Sequence, residues 1–193
     1  MKEIKLKITG LSPLLMHSDR MSNPLDAITK AHKVLTSKRK KTDEDHVAIA
    51  KSEWMGSLYH DPKQGLFLPS QNVMSSIRGG AKLNKLGTQF GRAALCLEER
   101  LTLATQLPKD LNAAWEMGQF TDARSVVVQR ARLMRYRPRF DQWSTTITIH
   151  YAPDVLDKAQ IIQAAENAGR LIGIGDFRPE KSGIFGRFQV EEA

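Results

Sequence analysis

Residues 143–151, Trp143-Ser144-Thr145-Thr146-Ile147-Thr148-Ile149-His150-Tyr151, place Trp, Ile, Ile and Tyr on one parity and Ser, Thr, Thr and His on the other. A period of two is the mark of a strand with one buried and one polar face. Residues 2–9 repeat it, with Ile4, Leu6 and Ile8 separated by Lys5 and Lys7. Downstream of residue 151, Asp154 or Asp157 can cap a helix whose Ile161, Ala165, Ala168 and Ile172 share a face. Glycines 169, 173 and 175 then stop that helix, and residues 184–190 read as a last strand.

Between these ends the pattern is mostly helical. Asn23 and Pro24 read as N-cap and first residue of a helix carrying Leu25, Ile28, Ala31 and Leu35, which ends in Lys38, Arg39, Lys40 and Lys41. Thr42 and Asp45 have capping-box spacing, and Val47, Ala50, Trp54 and Leu58 continue at helical spacing, so the two helices form a hairpin. Residues 66–68 are extended, and Pro69 and Ser70 open a helix with Val73, Met74, Ile77 and Ala81, on which Arg78 and Lys82 lie four apart. Residues 94–104 read as a strand and 111–117 as a short helix. Residues 124–134 read as one strand in which Arg130 and Arg132 keep the parity of Val126 and Val128, with Pro138 breaking the chain beyond. With residues 20–60 set aside, the order is strand, helix, two strands, helix, strand. That is the α+β, ferredoxin-like split arrangement, RRM-like in order, with a helical insertion after its first strand. One domain over residues 1–193 is expected.

The composition is that of a globular protein: 193 residues, 41% hydrophobic and 26% charged. A net charge of +8 makes polyanions the favoured partners. The lone Cys96 excludes an internal disulfide and a cysteine-based zinc module. His17, His32, His46, His60 and His150 lack metal-ligand spacing, so neither a metal nor a cofactor is expected. Residues 1–10 lack a signal peptide's continuous apolar core, and no stretch has the ~20 apolar residues of a membrane span, which predicts a cytoplasmic protein without membrane contact.

The run Gly173-Ile174-Gly175-Asp176-Phe177-Arg178-Pro179-Glu180-Lys181-Ser182-Gly183-Ile184-Phe185-Gly186-Arg187-Phe188 resembles the glycine-rich loop of the RAMP superfamily, the RNA-binding proteins of CRISPR effector complexes. Residues 67–78, from Phe67 through Pro69 to Arg78, resemble a segment of the backbone subunits of those complexes, although Gln71 or Asn72 stands where a glycine is usual. The insertion after the first strand lies where those subunits carry a thumb-like element. The resemblance implies a protein that covers a single strand and assembles side by side in a filament, a ring or a ribonucleoprotein complex. A stand-alone relative from a phage or mobile element fits the same resemblance.

Four basic groups are candidates for contact with single-stranded RNA or DNA: Lys38, Arg39, Lys40 and Lys41 at the hairpin tip; Arg78, Lys82 and Lys85 along a helix; Arg130, Arg132, Arg135, Arg137 and Arg139 near a strand end; and Arg178, Lys181 and Arg187 around the glycine loop. Five arginines at one strand end repel one another unless an anion or acidic partners lie among them. Tyr136 and Phe177 are placed to stack bases, and Phe185 reads as core. Gly173, Gly175, Gly183 and Gly186 have two readings: backbone that lets a phosphate approach, or a tight turn from helix to strand.

The alternative function is a metal-independent endoribonuclease. His17 is its candidate acid or base, because RNA-cleaving members of the resembled superfamily often use a histidine, and Asp26 is a second candidate. No residue is assigned as catalytic in the leading reading. A third reading is an interaction protein that docks onto a CRISPR complex.

Overall fold

The computed structural model describes residues 1–193, the side chain of Val128 excepted. In chain order its elements are β1 (Lys2–Gly10), β2 (Leu14–Leu15), α1 (Ala27–Thr36), α2 (Asp43–Gly56), β3 (His60–Asp61), β4 (Gly65–Pro69), α3 (Ser70–Leu83), α4 (Gly87–Ala93), β5 (Ala94–Leu95), β6 (Arg100–Thr102), β7 (Ala104–Thr105), α5 (Leu111–Glu116), β8 (Thr121–Val128), β9 (Ala131–Phe140), β10 (Trp143–Tyr151), α6 (Lys158–Asn167) and β11 (Phe188–Glu192). The fold is mixed α+β with antiparallel sheets, and no helix is long and apolar enough to cross a membrane among the described residues. Two compact units form: Met1–Leu14, His60–Gln106 and Phe140–Ala193 make the first, and Leu15–Tyr59 and Leu107–Arg139 the second.

The two alternating stretches pair with each other in the first unit, from Lys2↔Tyr151 to Thr9↔Ser144. The sheet order is β11-β1-β10-β5, and β7 also pairs with β10. Ile4, Leu6, Ile8, Ile147 and Ile149 are buried on one face, as are Val73 and Ile77 of α3 and Ile161 and Ala165 of α6. The opposite face carries Lys5 and Lys7 beside Thr148 and Thr146, with no aromatic ring among them. Helices α3 and α6 approach closely because Gly80 has no side chain: a Cβ there would lie 2.0 Å from the Ala164 carbonyl oxygen. Asp157 caps α6 in a capping box with Gln160.

Residues 94–104 do not form one strand. β5 and β7 join β10 while β6 joins β4, and the intervening Leu97, Glu98 and Glu99 are exposed. Each short piece follows a different partner, which overrides the local apolar alternation. The last strand also starts later than residue 184, at Phe188, because residues 184–187 stay in the glycine loop.

The second unit packs α1 and α2 with the sheet β2-β9-β8. Trp54 is fully buried, and its Nε1–H donates to the Phe120 carbonyl at 2.9 Å. Thr42 and Asp45 make both bonds of the expected capping box. Helix α1, however, starts at Ala27 with Asp26 as its cap, because Asn23 accepts the Leu25 N–H in a turn of its own. Leu25 thus lies outside the helix and is exposed.

The largest departure lies at residues 121–140, which form a hairpin with Gln129 and Arg130 as its two turn residues. Both have positive φ, 49° and 70°, the backbone that type I′ turns require and that Asn-Gly normally supplies. Arg132 pairs with Val127, so it lies on the face opposite Val126 instead of continuing that face, and Arg130 is in the turn. Pro138 does not break the strand either. It pairs with Thr121, the first residue of β8, and its carbonyl accepts the Met16 N–H at 2.9 Å, using the one backbone group that proline keeps.

Candidate nucleic-acid interface

Whether a cation can meet a ligand depends first on what already neutralises it. In the β8–β9 hairpin, Glu53 of α2 is 8% exposed and Arg137 is 9% exposed. Glu53 Oε1 accepts from Arg135 Nη1 at 3.1 Å and from Arg137 Nη1 at 3.4 Å, and Oε2 accepts the Tyr136 N–H at 3.3 Å. Buried Asp122 takes two bonds from Arg124. Two of the five clustered arginines thus share one buried carboxylate, and half-buried Arg135 and buried Arg137 form a network with Glu53 within the second unit. Tyr136 is half-buried, and its ring forms a T-shaped pair with Trp115 at 6.3 Å. Arg130 and Arg132 are exposed at the hairpin end, and Arg139 is half-buried.

In the loop between α1 and α2, Lys38 pairs with Asp45 and Lys41 donates to the Lys38 carbonyl, leaving Arg39 and Lys40 exposed. The bond from Lys38 holds the Asp45 carboxyl below its ordinary pKa. His32 of α1 sits 3.1 Å from the Ser52 hydroxyl. Partial burial lowers its pKa, and Arg135 adds to that, against the opposing pull of Glu53.

Several backbone N–H groups of the glycine loop are occupied by main-chain carbonyls. The N–H groups of Gly173, Ile174, Gly183 and Gly186 donate to the carbonyls of Ala168, Gly186, Arg178 and Pro13. A Cβ at Gly183 would lie 1.7 Å from the Phe177 carbonyl oxygen, so glycine there serves close packing. Gly173, Gly175 and Gly186 have positive φ of 76°, 84° and 68°. Of the two readings, the tight turn accounts for these contacts. Arg178 is occupied by Glu180 and the Gly175 carbonyl, and Arg187 donates to the Arg170 carbonyl. Lys181 is exposed, Phe185 is buried, and Phe177 rests tilted on it at 6.2 Å with its own ring partly exposed.

Around helix α3 four exposed cations come together. Arg78 and Lys82 lie on its exposed face, and Arg92 is exposed on α4. Arg78 Nε donates to the Gly87 carbonyl at 3.0 Å, and its guanidinium lies over Gly91, where a Cβ would meet it at 2.9 Å. The group is therefore held in place with its outer N–H groups toward solvent. Lys85 is not on the helix as the spacing predicts. It follows the end of α3 with φ 62°, the left-handed position that closes helices and is usually glycine. Leu86 N–H donates to the Ala81 carbonyl at 2.9 Å around this residue. None of Arg78, Lys82, Lys85 and Arg92 makes an ion pair among the described residues.

An open basin of about 570 Å³ lies beside them, lined by Lys85, Thr88, Gln89, Arg92, Ala93, Ala152 and Val155. Arg92, Thr88 and Gln89 escape sequence reasoning because α4 has only seven residues, too few for a helical period to stand out. Glu53 escapes it because the arginines it neutralises lie on another element, far along the chain.

The candidates of the catalytic alternative are placed as follows. Ser18 is buried and accepts the Arg20 N–H, and Asp26 caps α1 while paired with Arg20 at 2.8 Å. That bond from Arg20 holds the Asp26 carboxyl in its charged form. His17 is exposed. No group of three His, Cys, Asp or Glu side chains is placed to hold a metal ion among the described residues. No protein-family model matches the chain, and no curated protein matches it.

Proposed function

We infer that the protein binds single-stranded nucleic acid through the cations of α3 and α4, as a ferredoxin-like relative of the RAMP superfamily acting in the cytoplasm. The observation that carries this reading is the set Arg78, Lys82, Lys85 and Arg92, which lie together on α3, the turn that closes it and α4 with no acidic partner among the described residues, whereas Glu53, Asp45 and Glu180 take up Arg135, Arg137, Lys38 and Arg178 of the other groups. Four like charges on one surface repel one another until a polyanion neutralises them, and releasing that polyanion's counterions then drives binding. The ferredoxin-like assignment is supported by the antiparallel order β11-β1-β10-β5, with α3 and α6 supplying the core residues between the strands in sequence. Side-by-side assembly is supported by the β8–β9 hairpin, which exposes Val127 and Met134, 67% and 51%, on one of its faces.

The test is anisotropy titration of labelled single-stranded RNA and DNA across a salt series, with Lys82→Glu and Arg92→Glu. Four phosphate contacts predict a slope of log K against log salt near about −3, and each reversal flattens it by about 0.7 or more. A shallow slope that neither variant changes refutes the reading. Size-exclusion chromatography of the protein with and without the strand tests assembly, and a monomer in both refutes that part.

A further inference from the structure

Single strands are commonly held by phosphates on cations and bases on aromatic rings. Here the open sheet face has no Phe, Tyr or Trp ring, Tyr136 is half-buried in a T-shaped pair with Trp115, and Phe177 rests on Phe185. The first unit nevertheless has the chemistry for a base. We propose that the basin beside α4 is a nucleotide pocket that takes one purine nucleotide of the strand, adenylate in the first instance; this rests on the strand-binding reading for its place in the protein's function.

The wall is mixed in the way a nucleotide requires. Ala152 and Val155 supply apolar surface for the face of a base, Gln89 an amide and Thr88 a hydroxyl for its edge, and Lys85 and Arg92 charge for its phosphate. A carboxamide can donate to and accept from adenine at once through N6 and N7, which is why glutamine pairs well with that base. A volume of about 570 Å³ falls within the range of small-molecule sites and is wide for phosphate alone. The apolar side of the wall is tied down by backbone hydrogen bonds. The Ala152 N–H donates to the Ala93 carbonyl at 2.9 Å, joining the turn after β10 to the end of α4, and the N–H groups of Val155 and Leu156 return to the Ala152 carbonyl. The left-handed backbone that ends α3 sets the Cα of Lys85 at the basin's rim.

The test has two independent arms. In the first, AMP and inorganic phosphate are titrated by ligand-observed NMR into the full chain, Val155→Trp and Gln89→Leu. Val155 is half exposed, so tryptophan can fill the basin without entering the core. The expected result is saturation transfer to the purine protons, abolished by Val155→Trp and weakened about tenfold by Gln89→Leu. Inorganic phosphate at the same concentration should not displace AMP. In the second arm, a single-stranded oligonucleotide carrying one 2-aminopurine is followed by anisotropy and by fluorescence. The base should brighten on leaving the stack in the wild type and not in Val155→Trp, while the salt slope, which depends on cations, keeps its value. Oligonucleotide binding with no AMP signal and no brightening overturns the pocket and leaves the strand-binding reading standing. An AMP signal lost in Val155→Trp with no oligonucleotide binding sustains the pocket and overturns strand binding. Displacement of AMP by phosphate alone overturns the pocket as a base site.

Discussion

Lys85 tests the interface and the backbone at once. It occupies a left-handed position, φ 62°, at the end of α3, where a side chain costs about 1–2 kcal/mol relative to glycine. Lys85→Gly removes that strain, but glycine's greater freedom in the unfolded chain offsets about 0.4–1 kcal/mol of the gain. The net expectation is stabilisation by about 0.5–1 kcal/mol. With an unfolding entropy of about 2.1 cal/mol/K per residue, 193 residues convert this to a rise in Tm of about 1–3 °C. The same change removes a phosphate contact, which flattens the salt slope by about 0.7 and weakens strand binding about fivefold near 0.1 M salt. Lys85→Ala is the control: it loses the charge and keeps the strain, so it should bind like Lys85→Gly yet melt below it. Calorimetry and anisotropy on the three proteins decide the matter. A Lys85→Gly protein that binds as the wild type does, or melts no higher than Lys85→Ala, refutes the argument that strain is retained here for the sake of a cation.

Other outcomes follow from the second unit. Glu53→Gln removes the carboxylate that Arg135 and Arg137 share and should lower stability in urea unfolding, by about 1–3 kcal/mol for hydrogen bonds to a charged group, with partial recovery when Arg137→Met is added; equal stability would show the network to be dispensable. Replacing Gln129 by Asn and Arg130 by Gly supplies the residues that a two-residue turn favours, and should raise stability by about 1 kcal/mol; a loss would mean that the turn is of another type. The folded-state pKa of His32 lies below its unfolded value, so the unfolded chain binds the proton more readily. Stability is therefore full above the unfolded pKa and falls as pH drops through it toward the lower folded one. His32→Gln should flatten the melting temperature between neutral pH and that region, and an unaltered profile would remove His32 from the explanation.

The sequence was most legible where one face is buried over a long element. β1 and β10 declare themselves by parity, and α2 and α6 by their caps, because burial and capping act on neighbouring residues. The hairpin at 129–130 was hidden because Gln-Arg carries no turn signal, and the tertiary pairing alone holds both residues at positive φ. At the interface, counting cations was easy and telling the occupied from the open ones was not. Glu53 lies on α2, and only the fold brings it to Arg135 and Arg137. Lys85 looked like one more helical residue because left-handed lysine has no mark in a sequence.

The two units interleave along the chain, which crosses between them at 14–15, 59–60, 106–107 and 139–140. During synthesis the second unit has all its segments once residue 139 has emerged, whereas β1 must wait for β10 and β11, its only sheet neighbours. Closing so long a loop slows pairing, and an unpaired edge left waiting invites association with other chains. Lys5 and Lys7 alternate along β1 in that interval, and charges on an idle edge strand are a known guard against such pairing. The order in which the chain leaves the ribosome thus assigns the lysines of its first strand a task before the native sheet exists.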